Sequence, residues 1–330
     1  MQQTKRVGLF GGIRTSSYSL VRVPEFAAFV TLVLICIVFT AASSKFFTPM
    51  SLTSMFTLAA ELGTIAVGVS FLMISGDFDL SVGSVFGMSA FLLATISNTG
   101  VSPTIAFVST LIIAMVMGLL NGVVTVRFKI PSFITTLGTM MLWRGVLLYI
   151  TAGFPIVYKA DRTLIDFLGG NIALMLRASA VWFILLTIIF TVVLQRTIYG
   201  NWTFATGGDI QAARAAGVPI NKVRIINFMI CSLLAALAGM VNMARFNIAQ
   251  TMLGEGKELE AIAAAVIGGN LLMGGYGSII GTFVGSIILS VISTGLIMMG
   301  VPPYLYMGFT GIVVIVAVIV NTSIKGRGGS

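Results

Sequence analysis

Long apolar runs, separated by short polar segments, occupy most of this chain. A helix that crosses the hydrocarbon layer of a membrane needs about 20 apolar residues. The pattern therefore predicts an all-α membrane protein with about ten transmembrane helices. The runs cover residues 26–44, 52–74, 84–97, 104–126, 132–151, 178–195, 225–247, 279–299 and 304–322, with a further, interrupted run from residue 258.

Two glycine-rich segments interrupt the apolar pattern and predict broken or short helices, near residues 76–83 and 268–277. The first contains Asp77 and Asp79, and charged residues between two apolar runs need a structural or functional reason. The two segments also suggest an internal repeat, which is common in transporters, although glycine-rich helices also match by chance. The matching patterns are Gly76-x-Phe78 with Gly274-x-Tyr276, and Gly83-Ser84-x-x-Gly87 with Gly281-Thr282-x-x-Gly285.

A long polar interruption in the second half of the chain covers residues 196–224. Within it Asp209 can cap a short helix over residues 210–216. Gly217 can take the left-handed conformation that ends this helix, and the proline beyond it prevents continuation. The small alanines of the helix would let another backbone approach, and Arg214 could bond across the contact. The helix is therefore either a docking surface or part of a solvated connection between two spans.

The composition supports a membrane protein, because 57% of the 330 residues are hydrophobic and 9% are charged, against about 25% charged in a soluble domain. We expect one transmembrane domain over residues 26–323, with tails at 1–25 and 324–330. Cys36 and Cys231 lie in apolar runs, where a thiol behaves as a small hydrophobic group, so no disulfide is expected. The chain has no His, which removes the Ser-His arrangement and most zinc sites.

Lysine and arginine are distributed unevenly around the apolar runs, and positive residues favour the cytoplasmic side of a membrane. With a cytoplasmic N-terminus, both tails and residues 196–224 fall inside, and residues 152–177 form an external loop that could hold an interfacial helix. The net charge of +9 fits loops that face anionic lipids and does not predict nucleic-acid binding. The bases inside are Lys5, Arg6, Arg14, Arg22, Arg127, Lys129, Arg196, Arg214, Lys222, Arg224, Lys325 and Arg327, and those outside are Lys45, Lys159, Arg162, Arg177 and Lys257.

The chain lacks the phosphate-loop pattern G-x-x-x-x-G-K-[ST], so no nucleotide site is visible. If ATP drives transport, another subunit must bind it and act on a cytoplasmic surface, for which residues 196–224 are the candidate. If an ion gradient drives transport, buried carboxylates must couple it, and the candidates are Glu61, Asp77, Asp79 and Glu258. For Asp77 and Asp79 the alternative is a helix-end cap that satisfies free amides without a role in transport.

Other polar side chains lie in or near the apolar runs. Arg144 and Arg245 must either reach the membrane surface or pair with a carboxylate, since an isolated charge in hydrocarbon is costly. Asparagines there could hydrogen-bond a polyhydroxyl solute along a translocation path, or equally a neighbouring helix. The candidate path residues are Asp77, Asp79, Ser81, Asn121, Asn242, Asn247 and Asn270.

Four motifs carry a resemblance to a known family. They are GDFDLSVGS at residues 76–84, IPSFITTLGT at 130–139, AAGV at 215–218 and ELEAIAAAVIGG at 258–269. In this order they resemble the bacterial sugar ABC-importer permeases, of the ribose permease type. The chain departs from the usual Gly-Ile-Asp-Leu-Ser by the added charge of Asp77, and from a common Asn-Glu-Ala by Asp-Ile-Gln from residue 209.

The resemblance implies a non-catalytic permease subunit of an ATP-driven importer in the bacterial inner (plasma) membrane. Such a subunit translocates a monosaccharide, here a ribose-like pentose or a hexose, delivered by a periplasmic or lipid-anchored sugar-binding protein. It pairs with a second permease copy, identical or closely related, and docks on ABC ATPase subunits that hold ATP and Mg²⁺, with no cofactor of its own. In these importers the loop between the sixth and seventh spans contacts the ATPase, which here places coupling on Asp209, Ala212, Ala213, Arg214, Ala216 and Gly217.

The flanking residues 196–206 and 219–224 are interpreted as membrane-edge anchors and connectors. One alternative function is an ion-coupled secondary transporter of a small polar solute, which would work through Asp77 or Asp79. A membrane enzyme is disfavoured, because the chain has no His and no recognisable pair of nucleophile and base.

Overall fold

The computed structural model describes residues 24–173 and 176–326, and most of these residues are helical. The predicted tails lie largely outside the described residues, at 1–23 and 327–330. The helices are α1 (Pro24–Ala42), α2 (Pro49–Ile74), α3 (Val82–Asn98), α4 (Pro103–Phe128), α5 (Ser132–Thr151), α6 (Thr163–Gly169), α7 (Ala178–Arg196), α8 (Ile198–Gly208), α9 (Ile210–Ala215), α10 (Ile220–Phe246), α11 (Lys257–Ile267), α12 (Ile279–Met298) and α13 (Pro303–Gly326). The short strands are β1 (Ile156–Val157), β2 (Asn171–Ala173), β3 (Leu176–Arg177) and β4 (Ile248–Ala249).

The all-α prediction is confirmed, apart from two short antiparallel pairs, β1 with β4 and β2 with β3. Within the described residues, the helices that are long and apolar enough to cross a membrane number seven: α1, α2, α4, α5, α7, α10 and α12. α3 is apolar but has only 17 residues. The chain is thus a multi-pass membrane protein.

The spanning helices form an inner and an outer group. α2 lies at the centre. In its most apolar stretch of 18 residues, 94% of the residues are buried inside the protein, against 67% in the corresponding stretches of α10 and α12. In α1, α4, α5 and α7, between 11% and 33% of the residues in the corresponding stretch are buried. Their exposed apolar side chains, such as Ile112, Leu142 and Ile188, suit contact with lipid rather than water.

Both predicted helix breaks are present. Residues 75–81, here called the first break, separate α2 from α3, and residues 268–278, the second break, separate α11 from α12. The chain reverses in each break through left-handed backbone conformations, which glycine adopts without steric cost. These residues are Gly76 (φ 89°), Gly269 (φ 91°), Gly274 (φ 78°) and Gly275 (φ 76°).

The polar connection at residues 196–224 holds two helices, α8 and α9, where the sequence predicted one. Residues 196–206, interpreted as an anchor and connector, contribute most of α8. Its glycines, threonines and asparagine are weak helix formers. Tyr199 and Phe204, however, pack on a buried apolar cluster that includes Phe71 of α2 and Leu194 of α7. Tertiary packing therefore stabilises a helix that local propensity does not favour.

Residues 152–177, predicted as a loop with an interfacial helix, contain α6 and the strands β1 to β3. β1 pairs with β4 in the register Ile156 with Ala249 and Val157 with Ile248. Asn98, at the end of α3, donates to the Val157 carbonyl and accepts from the Lys159 N–H, both at 2.8 Å. The loop is thereby attached to the ends of α3 and α10.

Candidate coupling surface and buried polar clusters

The short helix α9 has the termini that the sequence predicted. Asp209 Oδ1 accepts hydrogen bonds from the N–H groups of Gln211 (2.8 Å) and Ala212 (3.0 Å). At the other end Gly217 has φ 79°, and its N–H and that of Val218 bond back to carbonyls of the last turn at 3.1 and 3.0 Å. This is the glycine-terminated C-cap in which two backbone bonds close the helix.

We call Asp209, Ala212, Ala213, Arg214, Ala216 and Gly217 the coupling surface. All of them except Ala213 are exposed, and Ala213 is only 3% exposed because it faces the rest of the protein. An open groove of about 370 Å³ adjoins α9. Its lining residues are Arg214, Val218, Pro219, Ile220, Asn221 and Lys222. α9 therefore presents small side chains and Arg214 beside a concave surface, to which α10 contributes a second base, Lys222.

α8 holds α9 against the helix bundle. The Tyr199 hydroxyl donates to Asn227 Oδ1 of α10 at 2.5 Å, and burial raises the pKa of Tyr199, so this hydroxyl keeps its proton. At the end of α8, a Cβ placed on Gly207 would lie 2.0 Å from the Ile74 carbonyl oxygen and 2.6 Å from the Gly275 nitrogen. The segment before α9 is thus packed, backbone on backbone, against both helix breaks.

Asp77 forms an ion pair with Arg224, in the second turn of α10. The guanidinium Nε and one terminal nitrogen each donate to a different carboxylate oxygen at 2.6 Å. Asp77 is 2% exposed, whereas the Arg224 side chain is 24% exposed and reaches the surface. The helix-cap interpretation is therefore wrong for Asp77. The one indirect signal in the sequence is the carboxylate itself, since a charge in an apolar segment needs a cationic partner.

Asp79, Ser81 and Asn121 form one buried cluster. Asp79 Oδ1 accepts from the Ser81 backbone N–H (2.7 Å) and hydroxyl (2.6 Å), directly before α3. Ser81 is itself the N-cap residue of α3, so Asp79 forms a local turn with the residue two positions on and does not cap the first helical N–H groups. Asn121 Nδ2 of α4 donates to the Ser81 hydroxyl at 2.8 Å. All three residues have 0% exposure, and the Asn121 carbonyl oxygen has no hydrogen-bond partner among the described residues.

The two arginines in apolar runs find different partners. Arg245 donates to Glu61 Oε1 at 3.1 Å, and Asn242 donates to the other Glu61 oxygen at 2.8 Å. Arg144 instead donates to the backbone carbonyls of Thr251 and Leu253, each at 3.0 Å. The sequence predicted that each arginine either reaches the membrane surface or pairs with a carboxylate. Of the two arginines, Arg245 is the one that pairs with a carboxylate.

Asn270 joins the second break to α2 and α12. Its amide nitrogen donates to the hydroxyls of Ser70 and Thr282, both at 2.7 Å, and its oxygen accepts from the Ser278 N–H at 2.7 Å. Sequence reasoning did not select Ser70 or Thr282. Asn247 has a different position, because it ends α10 in the left-handed conformation with φ 56°.

The structure therefore distributes the seven candidate path residues over several sites, and only Asp79, Ser81 and Asn121 come together. Asn121, Asn242 and Asn270 bond to neighbouring helices, which is the second of the two roles weighed for them. Whether solute passes these residues stays a prediction. In the part of the chain that the structure describes, no three His, Cys, Asp or Glu side chains are placed to hold a metal ion.

The two segments of the suggested repeat have the same order of elements. Both matched segments form a helix, a glycine break and a second helix. The matched residues Gly76 and Gly274 meet, since a Cβ on Gly274 would lie 2.8 Å from the Gly76 Cα. The matched Ser84 and Thr282 lie near the starts of α3 and α12. The two breaks thus contact each other at equivalent positions.

Apolar helices around an interior with two helix breaks and buried polar clusters are the architecture of a multi-pass membrane permease. Residues 51–318 match the family model described as branched-chain amino acid transport system / permease component. The chain belongs to this family of transport permease components, which are non-catalytic.

Curated relatives cover most of the chain. The xylose/arabinose import permease of Sulfolobus acidocaldarius is 33% identical over 92% of this chain and 86% of its own length. The ribose import permease of Bacillus subtilis is 34% identical over 89% and 91%, respectively. The autoinducer 2 import permease of Salmonella typhi is 34% identical over 85% and 80%. No solved structure matches the chain.

Proposed function

We propose that this chain is the permease subunit of an ATP-driven importer for a monosaccharide, a ribose-like pentose or a hexose. The observation that carries the proposal is the identity of 33–34% to pentose import permeases over about nine tenths of the chain. A partner ATPase supplies ATP hydrolysis with Mg²⁺, and a periplasmic or lipid-anchored binding protein delivers the sugar. A second permease copy, identical or closely related, completes the pathway.

The topology of this proposal has about ten spans with both termini in the cytoplasm. The ten spans of the proposal are the seven long apolar helices together with α3, α11 and α13. Of these three helices, α11 is the shortest, with 11 residues. The surplus of Lys and Arg on the N-terminal side of the membrane supports this orientation.

The coupling surface is the proposed ATPase contact. Its support is local: α9 is capped at both ends, five of its six selected residues are exposed, and a groove adjoins it. Small exposed alanines let a partner backbone approach, and Arg214 supplies a charged donor at the contact. The buried Ala213 contributes by fixing α9 to the protein rather than by touching the partner.

Arg214→Glu tests this contact, because it reverses an exposed charge without disturbing the buried side of α9. We expect the variant to insert normally, to lose co-purification of the ATPase subunit, and to lose solute uptake in proteoliposomes that contain the whole importer. Arg127→Glu is the matched control, since Arg127 is an exposed base at the end of α4 on the same proposed face. Unchanged co-purification and uptake in Arg214→Glu would refute the proposed contact.

The alternative function is an ion-coupled secondary transporter that uses Asp77 or Asp79. Its support is the burial of both carboxylates. The purified chain alone, in vesicles with a proton or sodium gradient, would accumulate pentose under this alternative. Under the proposed function it accumulates none until ATPase, binding protein and ATP are added.

A further inference from the structure

Both ends of the polar connection at residues 196–224 are attached at the first break or at the end of α2 directly before it. The end of α8, directly before α9, packs on Ile74 through Gly207. The second turn of α10, directly after α9, pairs with Asp77 through Arg224. α9 therefore lies between two attachments. Their contact points, Ile74 and Asp77, are only three residues apart in the chain.

At the attachment before α9, glycine backbones are in direct contact. Gly76, Gly207, Gly208, Gly274 and Gly275, here called the glycine junction, bring both breaks and the end of α8 into contact. The Gly275 N–H donates to the Ile74 carbonyl at 2.8 Å, and a Cβ on Gly275 would lie 2.6 Å from the Gly208 Cα. Because no flexible side chain separates these segments, a displacement of one backbone is passed directly to the others.

The attachment after α9 is electrostatic. The Asp77 and Arg224 side chains form two parallel hydrogen bonds of 2.6 Å, a geometry that fixes orientation as well as distance. A carboxylate that is 2% exposed stays with its cation as that cation moves, because separation would leave a buried charge unpaired.

We propose that the Asp77–Arg224 ion pair and the glycine junction form one linkage that passes movement of α9 to both helix breaks. Asp77 and Arg224 are positioning residues in this linkage. α3 and α12 each begin at a break, so the displacement reaches the starts of two inner helices together. The inference rests on the proposed function, because it assumes that α9 receives the ATPase.

The test uses the whole importer in proteoliposomes, with Asp77→Asn and Arg224→Gln as variants. Asp77→Asn keeps the side-chain shape, and the partly exposed Arg224 can turn to water when Asp77 is neutral. Arg224→Gln removes the charge and shortens the side chain. We expect the ATPase subunit to remain bound and ATP to be hydrolysed, while solute imported per ATP falls about tenfold, within the range of coupling between sites. Arg127→Gln, which removes an exposed charge, controls for net charge and leaves the ratio unchanged.

The exchange Asp77→Arg with Arg224→Asp restores the pair in reverse. We expect it to recover at least half of the import per ATP that the single variants lose, an outcome that a purely local packing role would not produce. If Asp77→Asn does not insert, Arg224→Lys replaces it, since lysine keeps the charge but loses the paired geometry. An unchanged import per ATP in the inserted variant, or no recovery in the exchange, overturns the linkage.

The outcomes separate this inference from the proposed function. If the linkage is wrong and the coupling surface is right, Arg214→Glu loses the ATPase while Asp77→Asn keeps both ATPase and coupling. If the coupling surface is wrong, Arg214→Glu keeps the ATPase whatever the Asp77 variants do.

Discussion

The first break carries two carboxylates, Asp77 and Asp79, whereas no residue of the second break is charged. Asp77 is held by Arg224 and Asp79 by Ser81, so the first break is connected to α10 and α3 through charged groups. The second break is held by the neutral amide of Asn270 and by glycine backbone contacts. Both segments are glycine breaks between two helices. We therefore expect the stability of the first break to depend on charge, and that of the second on side-chain volume and hydrogen bonding.

The largest effect is expected where a side chain is added to the second break. Gly274→Ala must place a Cβ 2.8 Å from the Gly76 Cα and hold alanine at φ 78°. Left-handed strain and overpacking together cost about 2–5 kcal/mol of folding free energy. The midpoint of thermal unfolding in detergent should fall clearly below that of the parent protein.

Gly308→Ala is the control for that measurement. Gly308 lies in α13, and a Cβ there meets no atom of the described residues within 4 Å. Its unfolding midpoint should be unchanged or slightly higher, since alanine is the better helix former. Equal midpoints for Gly274→Ala and Gly308→Ala would show that the glycine junction tolerates volume.

An intermediate effect is expected from Asn270→Ala. The Ser278 N–H loses its acceptor, while Ser70 and Thr282 keep their mutual hydrogen bond of 2.6 Å. One buried group left without a partner costs about 1–3 kcal/mol. Thermal unfolding measures the loss, and Thr282→Val, which keeps the side-chain shape, should lose less because Asn270 still holds Ser278.

The smallest effect is expected from Asp79→Asn in the first break. The new amide oxygen still accepts from Ser81. The new NH₂ replaces Oδ2, which accepts from Asn121 Nδ2 at 3.3 Å, so the Asn121 amide must turn over for its oxygen to accept from the new donor. Stability should therefore change by less than about 1 kcal/mol, since a neutral buried group also avoids the desolvation of a charge. A loss as large as that of Asn270→Ala would show that the charge itself stabilises the first break.

Several features of this protein could be predicted from the sequence because they depend on neighbouring residues. The apolar runs determine which segments enter the membrane, and glycines determine where two of them break. Asp209 and Gly217 end α9 through bonds to residues two to four positions away, so its limits could be predicted to within one residue. The four motifs identified the family for the same reason, since each is a contiguous segment.

Contacts between distant segments were decided by the tertiary structure. Asp77 and Arg224 are 147 positions apart, and Asn270 and Ser70 are 200 positions apart, so no local pattern pairs them. α8 forms against its own weak propensity because Tyr199 and Phe204 find an apolar surface. The sequence thus determined the spans, the breaks and the caps, whose free energies come from membrane transfer and nearby hydrogen bonds. Tertiary packing alone decided which buried carboxylate pairs with which cation, because the pairing depends on how helices from separate parts of the chain pack together.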